Sequence, residues 1–529
     1  MSFSSIGGTY GLSGSGMDID SIVTKLMMGQ QAKSDALLQK KTVLEWQKTS
    51  YNTVYDDINN FRTTTFNYKL QGTLSPNKVS SSNTSVVTAT ANAEAADVNH
   101  SLVVAQLASG VNLTSASNVT TGASKDTIVN QFYDGVAPTG LYKFTIANGA
   151  ASASITIDPN GSINDLVSQI NSAGINVKAS YDSTLDRFFM STTNTGSSAG
   201  LSIVKTEGDA SWGGDFFVDK LKLPSDVATT TGITGLNAEF KLDGVHLSQA
   251  SNTFSISGVT YSLTGVSPGA TGATIAEKLD SGQATTISVT NDTDKAVASI
   301  QSLVDSYNKI LADINGKLSE TRYKDFPPLT DAQKSVMKES DITAWEAKAK
   351  SGMLRNDQTL ASLVNTMRNA FSNPVASITG PYNSGASIGI TTGTYTEGGK
   401  LYLNTDKLRT ALQDDPDVLS QLFGASGKNP DGTIDPSSQG IAGRLYDGIK
   451  TKMDQVAQIA GTTAGAQYDT KSSFAKRITA YNKQITNAAD RFDKVQTAYY
   501  KQFNAMEVAL QQLSSQNSWL ASQFGNSNG

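Results

Sequence analysis

The chain has 529 residues, of which 38% are hydrophobic, and it carries a formal net charge of −5. This length indicates roughly three or four domains, and the apolar content is sufficient for folded cores. Cysteine is absent, which excludes disulfides, thiol catalysis and thiolate metal sites. A mildly acidic chain without a basic cluster has no electrostatic footprint for nucleic acid, so we exclude that class of partner.

The first residues lack the features of a secretory signal. Residues 1–16 are rich in serine and glycine and have neither a basic region nor an apolar region. Residues 11–16 carry glycines in the order GxxGxG, but no strand precedes them, so we interpret them as a flexible leader. No run is long enough to cross a bilayer. Such a chain is cytoplasmic, or it is exported by a route that uses no cleavable signal.

A long amphipathic helix is predicted over residues 19–70. Its apolar residues recur on a seven-residue column with further apolar residues beside it. The column contains Val23, Leu37, Leu44, Tyr51 and Ile58, and beside it lie Leu26, Val54 and Phe61. Polar Gln30, Lys33 and Lys40 interrupt the early part, which we expect to pair only after assembly. The later part should pack at once.

The middle of the chain is predicted to be rich in β-strands. Residues 85–91 and 101–108 are short runs of valine, threonine and leucine, which predict strands. Alternating apolar residues over 142–157 predict two more strands, and Ser162 is the predicted N-cap of a short helix. Apolar residues alternate with polar ones again over residues 175–193, which predicts further strands. We interpret this second part as a compact α+β domain.

A second β unit and a helix follow. Residues 238–263 alternate in period two, and their Asp243-Gly244 dipeptide is the strongest short hairpin signal in the chain. Residues 286–289 complete this unit. A three-four apolar stripe then predicts a helix. The stripe contains Val297, Ile300, Val304, Tyr307, Leu311, Ile314 and Leu318.

The C-terminal part is predicted to be mostly helical. Residues 354–367 predict one helix, residues 400–403 a strand, and residues 408–423 helical segments interrupted at Pro416. From residue 474 to 520 apolar side chains recur at steps of four and three, which is typical of a coiled-coil helix. This helix spans about 70 Å and needs a partner. Its seam contains Ile478, Ile485, Phe492, Tyr499, Met506, Leu513 and Leu520.

These patterns predict an α+β multidomain fold. The N- and C-terminal helices form a coiled-coil stem, and two nested β-rich domains are inserted at its tip. An intramolecular helical hairpin is the simpler alternative, which the polar interruptions and the length disfavour. The predicted parts are an N-terminal leg at 1–42 that pairs with 475–529, a stem at 43–78 and 290–474, an inner β domain at 79–127 and 235–289, an outermost α+β domain at 128–234, and a C-terminal coiled-coil leg at 475–529.

No catalytic or metal site stands out in the sequence. The two histidines, His100 and His246, lie in a strand pattern and in a hairpin, so neither a histidine triad nor a multi-histidine metal site is easily built. Carboxylates cluster at 414–417 and 431–435, but their spacing does not fit a calcium loop. We therefore predict no enzyme activity, no metal and no cofactor.

Several segments together resemble one known family. Residues 14–23 read Gly-Ser-Gly-Met-Asp-Ile-Asp-Ser-Ile-Val and resemble the start of the bacterial flagellar filament cap proteins, the hook-associated protein 2 family. Residues 238–263, 304–308 and 328–352 are similar to that family in the same order. The resemblance covers both ends and most of the stem, whereas residues 126–236 share only its general style. The collinear order carries the resemblance, because no single motif is decisive.

The resemblance implies a non-enzymatic filament cap. Such a protein is a ring-like homo-oligomer of about five subunits at the distal tip of the flagellum. It promotes the folding and insertion of exported flagellin, prevents flagellin loss, and is required for filament elongation and motility. The implied partners are a second copy of the chain, flagellin, and an export chaperone at the C-terminal helix. Host mucus or cell surface would be a further partner if the protein also acts as an adhesin. Export through the flagellar channel places the protein outside the cell without a signal peptide.

Two sets of residues are predicted to carry this function. The assembly and filament-docking seam contains Ile19, Ile22, Val23, Leu26, Ile478, Ile485, Phe492, Tyr499, Met506, Leu513 and Leu520. The stem core contains Leu44, Tyr51, Val54, Ile58, Phe61, Val297, Ile300, Val304, Tyr307 and Leu311.

Three alternatives remain at this stage. A hook-filament junction protein or flagellin also has terminal helices and inserted β domains, although the Trp345 segment and the Asp243-Gly244 block favour the cap. An extracellular adhesin of the flagellar tip would use the Ser/Thr/Gly-rich β domain at 128–234 for binding. An enzyme carried on the filament would need a nucleophile or metal motif, and the sequence contains none.

Overall fold

The structure is a computed structural model that describes residues 18–525. The flexible leader predicted at residues 1–16 lies outside the described residues. The chain divides into two compact units: unit 1 comprises Met1–Ser75 and Thr293–Gly529, and unit 2 comprises Pro76–Asp292. The predicted α+β multidomain fold with long terminal helices is confirmed.

Unit 1 begins with a 49-residue helix, as the apolar period predicts. This helix, α1 (Ile19–Asn67), starts where the side chain of Asp18 accepts a hydrogen bond from the backbone N–H of Ser21 at 3.0 Å. Such an N-cap satisfies one of the free donors of the first turn. A single-turn helix, α2 (Gln71–Leu74), follows.

Unit 2 contains the β-rich part of the chain. Its elements are β1 (Asn77–Ser81), β2 (Val87–Ala91), β3 (Asn99–Gln106), β4 (Asn112–Thr114), α3 (Ile128–Phe132), β5 (Tyr142–Asn148), β6 (Ala151–Ile157), α4 (Ile163–Ser172), β7 (Val177–Asp182), β8 (Arg187–Thr192), β9 (Gly200–Glu207), β10 (Ile233–Thr234), β11 (Ala238–Leu242), β12 (Val245–Gln249), β13 (Thr253–Ile256), β14 (Val259–Leu263), α5 (Ile275–Ser281) and β15 (Thr285–Asn291).

Unit 2 has two hydrophobic cores. The inner core lies between a sheet of order β1-β15-β3-β11-β12 and a sheet of order β13-β14-β2. The outer core lies among sheets of order β10-β9-β5-β6 and β4-β8-β7. The chain enters the outer core before the predicted border at residue 128, because Val111 and Leu113 already pack there and β4 pairs with β8.

Two tight hairpins fix the strand register of the inner core. Asp243 and Gly244 both have positive φ, at 50° and 83°, as a type I′ turn requires. The hairpin predicted at this dipeptide is therefore confirmed, and β11 pairs with β12 across it. Ser257 and Gly258 form the same kind of turn between β13 and β14.

The outer core combines a predicted helix with an aromatic cluster that the sequence analysis missed. The hydroxyl of Ser162 accepts from the N–H of Asp165 at 3.2 Å, and the carboxylate of Asp165 accepts from the N–H of Ser162 at 2.7 Å. This capping box confirms the predicted N-cap. The fully buried Trp212, at the centre of the core, packs against Tyr142 and Phe216.

The remainder of unit 1 is mostly helical. Its elements are α6 (Thr293–Ser319), α7 (Asp331–Ser335), α8 (Glu339–Lys350), α9 (Gln358–Ser372), β16 (Ile390–Thr392), β17 (Leu401–Leu403), α10 (Thr405–Asp414), α11 (Val418–Gly424), β18 (Ser426–Lys428), β19 (Ile434–Gln439), α12 (Ile441–Ala460) and α13 (Ser473–Gly525). The helices α1, α6, α9, α11, α12 and the start of α13 share one large core.

Candidate assembly site

The two terminal helices form an antiparallel pair within one chain. Near one end of the pair the hydroxyl of Tyr500 donates to the carboxylate of Asp20 at 2.9 Å. Near the other end the rings of Tyr51 and Phe474 lie 5.8 Å apart. The pair therefore runs along most of α1, with the start of α1 beside the later half of α13.

A small hydrophobic cluster, which we call the leg cluster, holds the far end of this pair. On α1 it contains three buried residues that lie one turn apart. Those residues are Ile19, Val23 and Met27, and they pack against Phe492, Val495, Tyr499, Tyr500 and Phe503 of α13. The leg cluster does not belong to the main core of unit 1.

This pairing differs from the sequence hypothesis that the early part of α1 stays unpaired until assembly. The polar side chains that motivated the hypothesis, Gln30, Lys33 and Lys40, lie outside the leg cluster. Val23 and Met27 instead supply the contact, because they lie on the face of α1 that meets α13. In the structure of the single chain, the early part of α1 therefore lies against α13.

Beyond Phe503 the last helix exposes an apolar strip. Met506, Leu510, Leu513 and Leu520 are 38%, 37%, 60% and 44% exposed. Their spacing of four, three and seven residues places them on one face of the helix. We call these four residues the C-terminal strip.

The remaining predicted seam residues occupy several environments. Ile485 is buried, and Ile22 is half-buried. Ile478 is half-buried and packs against the main core of unit 1. Leu26 lies outside the contact and is 47% exposed. The predicted seam is therefore divided into a part that packs within the chain, which includes the leg cluster, and an exposed part, which comprises Leu26, Met506, Leu513 and Leu520.

All ten predicted stem-core residues lie in the main core of unit 1. They are Leu44, Tyr51, Val54, Ile58, Phe61, Val297, Ile300, Val304, Tyr307 and Leu311. The stripe of α1 faces the stripe of α6, and the rings of Phe61 and Tyr307 meet edge to face at 6.3 Å. This core supports the base of the helix pair.

Two polar contacts that the sequence analysis missed anchor α1. Lys48 Nζ lies 2.8 Å from Asp469 Oδ2, and both side chains are largely buried. Burial alone would raise the pKa of Asp469, but hydrogen bonds from Lys48 and Ser472 outweigh it and hold the pKa well below the usual range. The Tyr51 hydroxyl donates to the Asp357 carboxylate. Burial, and then this hydrogen bond, raise the pKa of Tyr51.

The segment at residues 320–352, which we call the brace, contacts the middle of α1. The side chain of Gln39 donates to the carbonyl of Pro328 at 2.8 Å. Lys350 Nζ lies 5.0 Å from the ring centroid of Trp46, within cation–π range. A cavity of about 500 Å³ lies between the brace and α1. The brace thus touches α1 on both sides of Leu44, where the main core begins.

The histidines and carboxylates considered for catalysis or metal binding make ordinary structural contacts. His100 Nδ1 lies 2.7 Å from Asp243 Oδ2, and His246 Nε2 lies 2.8 Å from Glu239 Oε2. The carboxylates at 415, 431 and 435 accept hydrogen bonds from residues two positions later, as turn residues do. Within residues 18–525 no group of three or more metal-ligating side chains is present. None of the helices in this range combines the length and the hydropathy that a membrane span needs.

The fold of the chain is similar to that of a solved flagellar protein. The chain matches the crystal structure of the flagellar cap protein FliD, domains D1, D2 and D3, from Escherichia coli, with a TM-score of 0.53 and 22% identity. The match covers 82% of this chain and 99% of that chain. The likeness identifies the fold class as that of a flagellar cap protein.

The sequence comparison leads to the family. A model described as the flagellar hook-associated protein 2 N-terminus matches residues 15–111, and the corresponding C-terminus model matches residues 235–515. The chain belongs to the flagellar hook-associated protein 2 family. The family resemblance predicted from the sequence is therefore confirmed.

Two relatives can be aligned with almost the whole chain. The flagellar hook-associated protein 2 of Halalkalibacterium halodurans is 30% identical over 95% of this chain and 97% of its own length. The protein of the same name from Escherichia coli K12 is 25% identical over 97% of both chains. Both matches include the terminal helices and the inserted unit.

Proposed function

We propose that this protein is the non-enzymatic cap at the distal tip of a bacterial flagellar filament. Its membership of the hook-associated protein 2 family along nearly the whole chain is the observation that carries the proposal. In this role the protein promotes the folding and insertion of exported flagellin and prevents flagellin from being lost to the medium. Filament elongation and motility depend on it.

The terminal helices supply the surfaces for this role. The leg cluster holds α1 and α13 together in each subunit. The C-terminal strip continues past the leg cluster and presents leucine and methionine side chains to solvent. An apolar helix face of this kind is stabilised when it is covered by another helix. We assign it to contacts with neighbouring cap subunits or with flagellin.

The proposed assembly is a ring-like homo-oligomer of about five subunits, a cyclic arrangement that is common among soluble oligomers. The protein is exported through the flagellar channel without a cleavable signal and works outside the cell. Before export, the C-terminal strip is the proposed site of an export chaperone, because a chaperone that covers it prevents premature assembly. Host mucus or cell surface is a further proposed partner of the tip.

Deletion of the coding sequence in the bacterium of origin tests this function. The expected mutant is non-motile, carries hooks without long filaments and releases unpolymerised flagellin into the medium. Expression of the intact chain from a plasmid should restore filaments. Normal filaments in the deletion strain would contradict the proposal.

A further inference from the structure

Strand β6 (Ala151–Ile157) is an open edge of the outer core. It is the last strand in the order β10-β9-β5-β6, and it pairs with β5 along its whole length. The connecting turn has two residues, so Asn148 and Ala151 exchange hydrogen bonds with each other. Strict alternation then directs the backbone N–H and C=O groups of Ser152, Ser154 and Thr156 away from β5.

These outward groups are available to another strand. Within residues 18–525 the backbones of Ser152, Ser154 and Thr156 make no hydrogen bond outside the β5–β6 pairing. The side chains of Ser152 and Ser154 are exposed, and that of Thr156 is half-buried. The three residues are continuous along the edge and present unpaired donors and acceptors to water.

Strand β6 also lacks the features that normally prevent edge-to-edge pairing. Its sequence, Ala-Ser-Ala-Ser-Ile-Thr-Ile, contains no charge and no proline, and its pairing with β5 has no bulge. Strand β7, an edge of the neighbouring sheet, carries Lys178 and Asp182, and α4 packs against it. Strand β1 carries Lys78. Strand β6 also contacts α4, but it is the longest uncharged edge strand of unit 2, and its outward backbone groups have no partner among the described residues.

We propose that β6 is a homotypic interface that pairs antiparallel with β6 of a second copy of this chain. A two-fold axis at Ser154 places Ser154 opposite its counterpart and Ser152 opposite Thr156, so all outward backbone groups find partners. On the other face of the sheet, Ala153 lies opposite Ile155 of the second copy. Small residues therefore face large ones, and no like charges meet.

This contact differs from the proposed cap ring. A two-fold interface is isologous and joins two copies only, whereas a ring of about five subunits needs a head-to-tail contact. The β6 contact therefore links two subunits in solution or one ring to another. It does not depend on the cap function, and its test is independent of that function.

A single cysteine gives a direct test, because the natural chain contains none. Ser154→Cys in the full-length protein places two thiols across the axis, with a Cα separation of about 5.5 Å that a disulfide can span. Mild oxidation should yield a covalent dimer. The matched control is Ser180→Cys, an exposed position on β7 of the same unit, which should stay uncrosslinked. A covalent dimer of both variants, or of neither, would overturn the proposal. If neither variant dimerises, β6 would instead be available to a strand from another protein.

A second variant measures the contact without oxidation. Ser154→Lys places like charges opposite each other. In native mass spectrometry, the largest species of this variant should therefore have half the mass of the largest species of the parent protein. Ser180→Lys should leave that mass unchanged. The halving is expected whether the parent species is a dimer or a pair of rings. Equal masses for the parent protein and both variants, with folding verified by circular dichroism, would contradict the proposed interface.

Discussion

At the scale of single residues, a few polar contacts fix where the N-terminal helix lies. Lys48 and Asp469 are 421 positions apart in the sequence, yet their charged atoms are 2.8 Å apart. A partly buried pair of this kind is costly to break, because the remaining charge loses its partner. The contact therefore ties α1 to the segment that precedes α13.

Asp469→Asn tests this contact. We expect the free energy of unfolding at pH 7 to fall by about 1–3 kcal/mol, because Lys48 is left without a carboxylate. Urea unfolding followed by circular dichroism measures the difference. The control Asp454→Asn removes an exposed pair with Lys450 and should cost less than about 1 kcal/mol. Equal losses in both variants would contradict the assigned role.

The same contact predicts a pH dependence. The pKa of Asp469 is lowered in the folded protein from its ordinary value of 3.8. Its contribution to stability is therefore fully present above that value and is lost as the pH falls below it toward the lowered pKa. As the pH is lowered from 5, the urea midpoints of the parent protein and of Asp469→Asn should converge. A difference that persists at the lowest pH would contradict this assignment.

Asp243 combines a turn conformation with a polar contact. It has a positive φ, and its carboxylate accepts hydrogen bonds from His100 and from the N–H of Ser101 at 2.8 Å. We expect Asp243→Ala to lower the unfolding free energy by about 1–3 kcal/mol, because alanine is strained at positive φ and removes the acceptor. Asp243→Asn, which tolerates this φ, should lose less. Thermal unfolding of both variants measures the order, and the reverse order would contradict the account.

Residue-level contacts were the least predictable part of the structure. The apolar columns of α1 and α6 indicated the buried positions, because periodicity alone decides which face is apolar. Asp243-Gly244 also had a local signal, since its turn type demands those residues. Lys48, Asp469 and Asp357 had none. Their partners are hundreds of positions away, and nothing in a single sequence relates such positions.

At the scale of elements, α13 has three parts with different surroundings. Its start, around Phe474, belongs to the main core, and its middle forms the leg cluster with α1. Its end carries the exposed C-terminal strip. The heptad pattern predicted a seam that weakens toward the C-terminus and needs a partner, with room for a different one at each end. It could not separate these parts, because the same apolar residues suit an internal partner and an external one.

Two aspartate substitutions distinguish the leg cluster from the strip. Phe492→Asp places a charge in the cluster, so hydrogen exchange in residues 19–27 should become faster already in the monomer. Leu513→Asp should leave that exchange unchanged and weaken assembly or filament docking. The control Thr497→Asp changes an exposed position on the same helix and should alter neither.

Native mass spectrometry and filament-binding assays complete this comparison. If Leu513→Asp retains the oligomer mass and filament binding of the parent protein, the C-terminal strip has no part in assembly. If Phe492→Asp leaves exchange unchanged in residues 19–27, the leg cluster does not hold the pair.

Several elements were missed in the sequence. Helix α12 (Ile441–Ala460) was not predicted, although its buried face fills the main core. The short strands β18 and β19 and the aromatic turn around Trp212 were also missed. The buried residues of α12 recur every three or four positions, so its helical period was present in the sequence and was overlooked. Strands β18 and β19 and the turn around Trp212 are too short to show a period.

At the scale of the whole molecule, the chain is a discontinuous unit with a continuous one inserted. The two ends of unit 2 meet in one sheet, where β1 pairs with β15 from Asn77 and Asn291 inward. Adjacent ends and separate cores are properties of a domain that folds independently. The sequence order predicted this nesting, because β blocks lie between helical segments that need one another.

Residues 76–292 should therefore fold when expressed alone. Trp212 is the only tryptophan in this range and is fully buried, so its fluorescence reports the outer core directly. We expect a cooperative urea transition with a large fluorescence change. A gradual change without a transition would show that unit 2 depends on unit 1.

The protein is proposed to cap the growing end of a filament. The most direct measurement is electron microscopy of short filament fragments incubated with the purified protein. A compact particle at one end only is the result predicted here, and Leu513→Asp should reduce the fraction of capped ends. Bare ends, or decoration along the sides, would contradict the cap function.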